Sequence, residues 1–529
     1  MQFYSKRTPI TNIIFSGCMK ESNQSNIILL NTLTGWIDKV TSIIVHFIIK
    51  PITLVFLGAN LFGVLEMLHK MTEFMASADF RSATTVKWIL SVEREKSSTD
   101  ILNSKISAGF FASIITIPIY LLIGSVIIYM SPYITKVHEN LYLEVRTCAS
   151  VLVISFIITQ VFFLYEQILQ GMNMAYKRIG IRAFITILGG LLTYLFLFLG
   201  MGLTGVVLSN LAVVVLTGVS YWFVVRENLK WVRIVKVRFE EIFGFVKLSI
   251  GFMFEKLISV FSRSLDVLIL GYFITTEVVS QYSITSYLFI SLSGFILMFM
   301  SSYITSISPL AKSDDKHSLL KARAEMWFLQ ILIYSYFFVL VVLFNRSFVG
   351  LWSGQQMYVG WLCNLLIIIY IICRCVADIE RSFLCMYLKL KEANLNALFS
   401  LVFLCILSIP LIKAFALPGL LLSLVLSQML MVILNVRSFK KIVNKNLNTL
   451  RYLDFRFVIT ITVMIILASF LGEFLNVDSW LVFIGIGVIT SLLVAAIYYY
   501  VALKSLNKSI INKYIRFISV RRKKTNSVY

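Results

Sequence analysis

The sequence lacks the short motifs on which most enzymes depend. It has no glycine-rich phosphate-binding loop with its lysine, no Cys/His spacing of a metal site and no arrangement of nucleophile and base. Its seven cysteines lie mostly in apolar stretches, where a free cysteine behaves as a small apolar residue. These absences argue against an enzyme and predict neither a cofactor nor a metal ion. The energy for its activity is then expected from an ion gradient, the membrane potential or the substrate's own downhill path.

Charged residues are also scarce, at 14% of the chain, whereas 59% of residues are hydrophobic and the mean hydropathy is +0.87. No soluble domain of this size is so apolar. Apolar runs of about 20 residues recur throughout, and each is long enough for a helix to cross a bilayer. Because a helix satisfies its own backbone hydrogen bonds inside lipid, the chain is predicted to be an all-α polytopic membrane protein with about 14 transmembrane helices.

Acidic residues are outnumbered by basic ones, 26 to 48, which gives a formal net charge of +22. In the predicted topology, 37 of the 48 Lys and Arg residues lie in tails and loops on one side of the membrane. The positive-inside rule then places both termini in the cytoplasm, as an even number of spans requires. We expect no nucleic-acid partner, because the sequence offers no soluble basic domain. The basic excess is interpreted as topology and as contact with anionic membrane lipids.

The chain also repeats itself. Shifted by 217 residues, segment 35–58 aligns with segment 252–275, and His46 then falls on Arg263. Several further pairs match in kind, and together they indicate a duplication. At an offset of 214 these pairs are Glu166 with Glu380, Gly205 with Gly419 and Ser209 with Ser423, and at an offset of 218 Lys105 meets Arg323.

Each copy contains six predicted spans, and this even number of crossings gives the two copies the same orientation, as parallel repeats. The expected architecture is two six-helix lobes followed by two extra C-terminal helices without a counterpart in the repeat. The predicted segments are a cytoplasmic tail 1–34, an N-lobe 35–225, a cytoplasmic linker 226–247, a C-lobe 248–440, appended spans 441–503 and a basic cytoplasmic tail 504–529.

Charged residues within the predicted spans are the candidates for function. Each costs roughly 2.5–3.5 kcal/mol near mid-membrane, so such residues are usually retained for a pathway or an internal partner. His46 and Lys50 are four residues apart and share a helical face. If the two copies face each other across a cavity, His46, Lys50, Arg263 and Arg374 form a cationic lumen. Such a lumen suits a phosphate or pyrophosphate group.

Internal ion pairing is the alternative for the same cations. It would join Arg263 to Asp266, Arg374 to Asp378, and Lys50 to a carboxylate of the second span. The sequence leaves both interpretations open.

The second span has a polar face of its own. Glu66, Lys70 and Glu73 recur at helical spacing, and His69 lies close to that face. A carboxylate or a histidine here could bind a coupling proton, because histidine titrates near neutral pH. Glu66, His69, Glu73 and Asp266 are therefore candidates for ion coupling, and a polar seam packed on another helix is the alternative.

Several motifs resemble those of polysaccharide flippases, the O-antigen and capsule exporters of the multidrug/oligosaccharidyl-lipid/polysaccharide exporter superfamily. The run 58–63, GANLFG, looks like the recurrent connection between the first two spans of that family. The runs 263–271, RSLDVLILG, and 280–282, SQY, are similar to the matching segment of its second half. Asp79 resembles a common aspartate at the end of span two, although a phenylalanine and an arginine follow it. The resemblance covers about residues 30–440.

The resemblance implies a multi-pass protein of the bacterial inner membrane, with two lobes around a V-shaped cavity that opens alternately to either side. It implies translocation of a polyprenyl-pyrophosphate-linked oligosaccharide repeat to the outer leaflet, for surface polysaccharide biosynthesis. The implied partners are this lipid-linked oligosaccharide, membrane lipids, a polysaccharide polymerase and the chain-length machinery.

Three other functions compete with this one. A multidrug or cation antiporter of the same fold would favour an acidic, aromatic-lined lumen, which the predicted cations oppose. A peptidoglycan lipid-precursor flippase of the same superfamily would match the span number, although the arginine-rich opening expected of it is absent. A membrane-bound sugar-polymer synthase or ligase would need a substantial outer loop, and the predicted outer loops are short.

Overall fold

The computed structural model describes residues 9–79, 81–94, 96–307, 316–387, 389–443 and 455–505. These residues are helical almost throughout, and no β-strand occurs among them. The all-α class predicted from hydropathy is therefore confirmed. Most of the predicted basic tail 504–529 lies outside the described residues, as does Phe80.

The chain divides into two compact units, Met1–Leu268 and Ile269–Tyr529, which we call unit 1 and unit 2. The division falls within helix α8, Phe239–Phe273. The segment boundaries predicted from the repeat stay a prediction. Unit 1 contains α1 Pro9–Glu73, α2 Ser82–Glu93, α3 Thr99–Ile115, α4 Ile117–Thr135, α5 Tyr142–Gly171, α6 Ile181–Phe198, α7 Gly202–Asn228 and most of α8.

Unit 2 begins with the end of α8 and contains a further seven helices in its described part. They are α9 Thr276–Thr285, α10 Tyr287–Ile307, α11 Lys316–Ser353, α12 Trp361–Met386, α13 Leu390–Val443, α14 Phe455–Phe474 and α15 Trp480–Ser505.

Nine helical segments of the described chain are long and apolar enough to cross a membrane, so the protein is a multi-pass membrane protein. Two of the nine, Leu30–Ala78 with 49 residues and Leu390–Ile442 with 53, are long enough for two crossings of roughly 20 residues each. Each is interrupted inside, at Gly58 with φ of 73° and at Ala416 with φ of 51°. A count of about 14 crossings stays a prediction.

Gly58 breaks α1 because of its backbone conformation rather than for lack of space. Its φ of 73° and ψ of 166° are accessible to glycine and strained for other residues, while a Cβ there would meet nothing within 4 Å. The two segments of α1 on either side of Gly58 therefore form a bent pair. Lys50 and Glu66, each eight residues from Gly58, meet across the bend.

The second segment of α1 packs one apolar face into the core of unit 1. Val64, Leu68 and Met71 of this segment, and Met75 in the 3-10 turn Phe74–Ala78 that follows it, recur at intervals of three and four residues and are 0–3% exposed. They form one cluster with buried residues of α4, α5 and α7. This spacing marks a single helical face, so the polar residues of the same segment lie on the other side.

A buried arginine joins three elements of unit 1. Nη1 of Arg178 donates to Asp38 Oδ2 at 2.7 Å and to the Tyr221 hydroxyl at 2.8 Å, and Nη2 lies 3.3 Å from Glu166 Oε1. All three charged side chains are less than 15% exposed. Glu166 thus has a structural ion pair that ties α5 and the first helix to the turn before α6.

Glu380, which the predicted repeat aligns with Glu166, forms a similar buried ion pair in unit 2. Its arginine comes from the preceding helix rather than from a turn. Arg323 of α11 donates from Nε at 3.0 Å and from Nη2 at 2.7 Å to the two carboxylate oxygens of Glu380. Both side chains are 0% exposed. Trp327 Nε1 adds a third hydrogen bond, and Phe439 lies 4.9 Å from the guanidinium. Lys105, the repeat partner of Arg323, is exposed.

We expect Arg323→Ala to destabilise the protein strongly, because Glu380 would be left charged and fully buried. Removal of one partner from such a pair costs about 3–5 kcal/mol. The measurement is the thermal unfolding of the purified protein in detergent. Lys389→Ala is the control, since Lys389 and Glu392 form a half-exposed pair at 3.8 Å, worth about 1 kcal/mol at most. Equal losses in the two variants would contradict a stabilising role for the buried pair.

Candidate functional site

The polar face of the second α1 segment begins with an ion pair across the Gly58 bend. Lys50 Nζ donates to Glu66 Oε1 at 2.7 Å, and the two side chains are 21% and 20% exposed. The Lys50 ammonium also lies 5.7 Å from the centre of the Phe62 ring. The sequence left two alternatives open for Lys50, a cationic lumen and an ion pair with a carboxylate of the second span. The structure shows the ion pair.

A second pair lies two turns further along the same face. Lys70 Nζ contacts Glu73 Oε1 at 3.0 Å, and the Ser264 hydroxyl of α8 donates to Glu73 Oε2 at 2.7 Å. Phe74 and Phe261 pack edge to face beside this hydrogen bond, with ring centres 4.7 Å apart. All of these residues belong to unit 1, so α8 is held against the end of α1 within that unit.

The neighbouring face of α8 carries two cations seven residues apart, Lys256 and Arg263. Arg263 is exposed, and no ion pair joins it to another described residue. The i+3 pairing with Asp266 is therefore not formed here. Asp266 is 8% exposed, and its Oδ1 accepts a hydrogen bond from the backbone of Val267 at 2.9 Å.

The turn between α1 and α2 adds Asp79 and Arg81. Asp79 Oδ1 accepts the Arg81 backbone N–H at 2.8 Å, and the hydroxyl of buried Tyr120 also hydrogen-bonds to Asp79. Arg81 has a left-handed backbone with φ of 51°, which is strained for a residue with a side chain. The Lys256 ammonium lies within electrostatic range of Asp79, Arg81 and Arg263.

These groups form one connected polar surface in unit 1, which we call the charged stripe. Its cations outnumber its carboxylates five to three, so it carries a net positive charge. The charged stripe consists of Lys50, Glu66, His69, Lys70, Glu73, Asp79, Arg81, Lys256, Arg263 and Ser264.

Three predicted site residues are not part of the charged stripe: Asp266, described above, His46 and Arg374. His46 is exposed, and its Nδ1 donates to the Ser42 backbone oxygen at 2.6 Å, one turn earlier in the same helix. Arg374 belongs to unit 2, where Nη1 lies 3.4 Å from the Tyr370 hydroxyl. Their roles in substrate binding stay predictions.

Sequence reasoning did not assign Arg81, Lys256 or Tyr120 to the site. The only signal for Arg81 was its place two residues after Asp79, in a run that departs from the resemblance. Lys256 is predicted to lie near the membrane boundary, where a lysine ordinarily serves as an anchor, and a tyrosine in an apolar run carries no signal at all. Their proximity depends on how α4 and α8 pack, which no short-range pattern encodes.

Chemically, the stripe is suited to hold an anion. Lys and Arg side chains make strong, charge-assisted hydrogen bonds to phosphate oxygens. Of the five cations, Lys50 and Lys70 are already paired with Glu66 and Glu73, whereas Arg263 has no ion pair within the described residues. An anionic group could therefore bind first at α8 and then compete for the paired lysines.

Comparison with known proteins shows which proteins share this fold. Among solved structures, the lipid II flippase MurJ in an inward closed conformation matches with a TM-score of 0.63 at 13% identity, over 90% of this chain and 100% of that one. An inward-facing multidrug resistance MATE family transporter of the MOP superfamily matches with a TM-score of 0.58 at 13% identity, over 78% and 94%. A MATE transporter from Vibrio cholerae matches with a TM-score of 0.54 at 11% identity, over 80% and 99%.

At these identities the likeness shows the fold, which is that of membrane transporters and flippases. No curated protein sequence matches the chain. The family model described as "polysaccharide biosynthesis protein" matches residues 56–357, which is more than half of the sequence and includes most of the charged stripe. This match confirms the resemblance seen in the motifs, and the chain belongs to the polysaccharide biosynthesis protein family.

Proposed function

We propose that the protein is a flippase that moves a polyprenyl-pyrophosphate-linked oligosaccharide from the cytoplasmic to the outer leaflet of the bacterial inner membrane, by alternating access. Its product would supply surface polysaccharide biosynthesis, with a polymerase and chain-length machinery as partners and with both termini in the cytoplasm. The observation that carries the proposal is the net positive charged stripe, with Arg263 exposed on it. Family membership supports the polysaccharide part.

The physical requirement is to carry a charged headgroup past the hydrocarbon core while the lipid tail stays in the bilayer. Burial of a phosphate without a partner is prohibitively costly, and lysine and arginine side chains offset that cost. A membrane potential that is negative inside favours outward movement of an anion by about 2.3 kcal/mol per charge per 100 mV. Binding by Lys50, His46, Arg263 and Arg374 is part of the proposal. Ion coupling through Glu66, His69, Glu73 or Asp266 stays a prediction.

A second candidate is a peptidoglycan lipid-precursor flippase. The MurJ structure, named as a lipid II flippase, aligns over its whole length with this chain. Both candidates share a lipid-linked phosphate headgroup and differ in the sugar. A cation antiporter shares the fold as well, but the net positive stripe would repel a cationic substrate.

The experiment that tests the proposal is the lipid-linked sugar content of cells that lack the protein. We expect undecaprenyl-linked oligosaccharide repeats to accumulate on the cytoplasmic side and surface polymer to be lost, both reversed by the wild-type gene. Accumulation of peptidoglycan precursors would support the second candidate. Sensitivity to cationic drugs without any accumulation would contradict both and support an antiporter.

We expect Arg263→Ala to reduce surface polymer export by roughly tenfold or more, because a charge-assisted hydrogen bond contributes about 1.5–3 kcal/mol. Arg263→Lys should retain part of the activity, since the charge remains. The measurement is surface polymer per cell, normalised to the amount of protein in the membrane.

Arg226→Ala is the matched control for this series. Arg226 lies over the Trp222 ring at 5.8 Å in the last turn of α7, outside the charged stripe. It should export normally. Normal export by Arg263→Ala at wild-type abundance would rule out a direct role for Arg263 in substrate binding.

A further inference from the structure

The Lys50 ammonium already has a partner before any substrate arrives. Glu66 Oε1 accepts a hydrogen bond from Lys50 Nζ at 2.7 Å, and both side chains are about four-fifths buried. An anionic headgroup that binds Lys50 must therefore compete with a carboxylate held in place by the bend at Gly58. Because that carboxylate belongs to the same chain, its effective concentration at Lys50 is high.

A flippase for a rare anionic lipid has a selectivity problem. The cytoplasmic leaflet is rich in anionic phospholipids, and each of them presents a phosphodiester with a single negative charge. An uncovered lysine in a transport pathway would bind these abundant lipids as well as the rare substrate. Specificity in such a case needs an element that penalises the wrong ligand, in addition to contacts that favour the right one.

We propose that Glu66 is a specificity-determining residue, an internal competitor that keeps monoanionic phospholipids off Lys50 and yields to a pyrophosphate. This inference rests on the proposed function and names how the same site selects its substrate. A monoanionic phosphodiester offers Lys50 the same charge as Glu66 but without the advantage of attachment to the chain. A pyrophosphate brings more negative charge and more acceptor oxygens, and the other cations of the stripe can share them.

The structure also offers Glu66 another partner when it is displaced. Lys70 follows it by four residues, a spacing at which glutamate and lysine meet on a helix, and both Lys70 and His69 lie within electrostatic range of Glu66. Lys70 can leave Glu73, because the Ser264 hydroxyl still donates to that carboxylate. The exchange therefore leaves no buried charge without a partner. A buried charge without a partner is what makes breaking an ion pair costly.

The test uses the purified full-length protein in phosphatidylcholine vesicles, with fluorescent phosphatidylglycerol as the probe and loss of fluorescence on addition of an outside quencher as the readout. We expect the wild type to translocate the probe little. Glu66→Gln should translocate it roughly tenfold faster, which corresponds to about 1.4 kcal/mol, because it removes the carboxylate that competes for Lys50. The double variant Lys50→Met/Glu66→Gln should return to the wild-type rate.

Glu473→Gln is the matched control. Glu473 pairs with Arg346 at 2.9 Å, with side chains 33% and 32% exposed, in unit 2 and outside the charged stripe. It removes the same charge from a similar ion pair and should leave probe translocation unchanged. If Glu66→Gln does not fold, Glu66→Asp keeps the charge but shortens the reach, and a smaller gain in phosphatidylglycerol translocation is expected.

Three results would overturn the inference. They are a folded Glu66→Gln protein with no gain for phosphatidylglycerol, an equal gain for fluorescent phosphatidylcholine, and a gain that persists without Lys50. None of these affects the proposed function, which fails separately if cells without the protein accumulate no lipid-linked oligosaccharide. A gain confined to phosphatidylglycerol and dependent on Lys50 would support Glu66 as the selecting residue.

Discussion

A charge held away from water needs a partner, and this constraint accounts for most of the polar architecture of the protein. The buried arginines of both units contact glutamates, and Lys50 and Lys70 of α1 each contact a carboxylate. A buried pair adds little net stability relative to an apolar replacement, but loss of one partner leaves an uncompensated charge and is costly. Arg263 is exposed and has no ion pair among the described residues, which is why it stands out as a residue available to a ligand.

Two glutamates that the predicted repeat aligns meet the same constraint with different residues. Glu166 pairs with Arg178 from the turn after its own helix, and Glu380 pairs with Arg323 from the preceding helix. Gly205 and Gly419, which the same alignment matches, show the opposite case. An added Cβ would come closer than 3 Å to Phe196 of α6 at Gly205, and to Leu411 in the first segment of α13 at Gly419. Close backbone packing leaves no substitute for glycine, whereas a charge can be balanced from several directions.

Hydropathy and charge bias were sufficient for the helical class and the multi-pass character, because composition carries those properties, and the loose motifs indicated the family. None of these patterns identifies the partners of individual charges. The sequence allowed Lys50 to face either a cavity or a carboxylate. Its contact with a carboxylate depends on the bend at Gly58, and a glycine in the sequence permits such a bend without predicting it. Arg178 reaches Asp38 over 140 residues of chain, a contact that no periodicity encodes. The site was therefore predictable as a set of residue types and not as a geometry.

The position of the bend at Gly58 also determines how far along the helices Lys50 and Glu66 meet. A helix rises about 1.5 Å per residue, so eight residues on each side of the bend place the Lys50–Glu66 contact about 12 Å from it. If the bend marks the outer surface of a hydrocarbon layer about 30 Å thick, the pair lies near the middle of that layer. An anion exchanged at that depth would already have crossed about half of the electric field. With that placement, the equal lengths of helix on either side of Gly58 would set the fraction of the membrane voltage available to an anion exchanged at the Lys50–Glu66 pair.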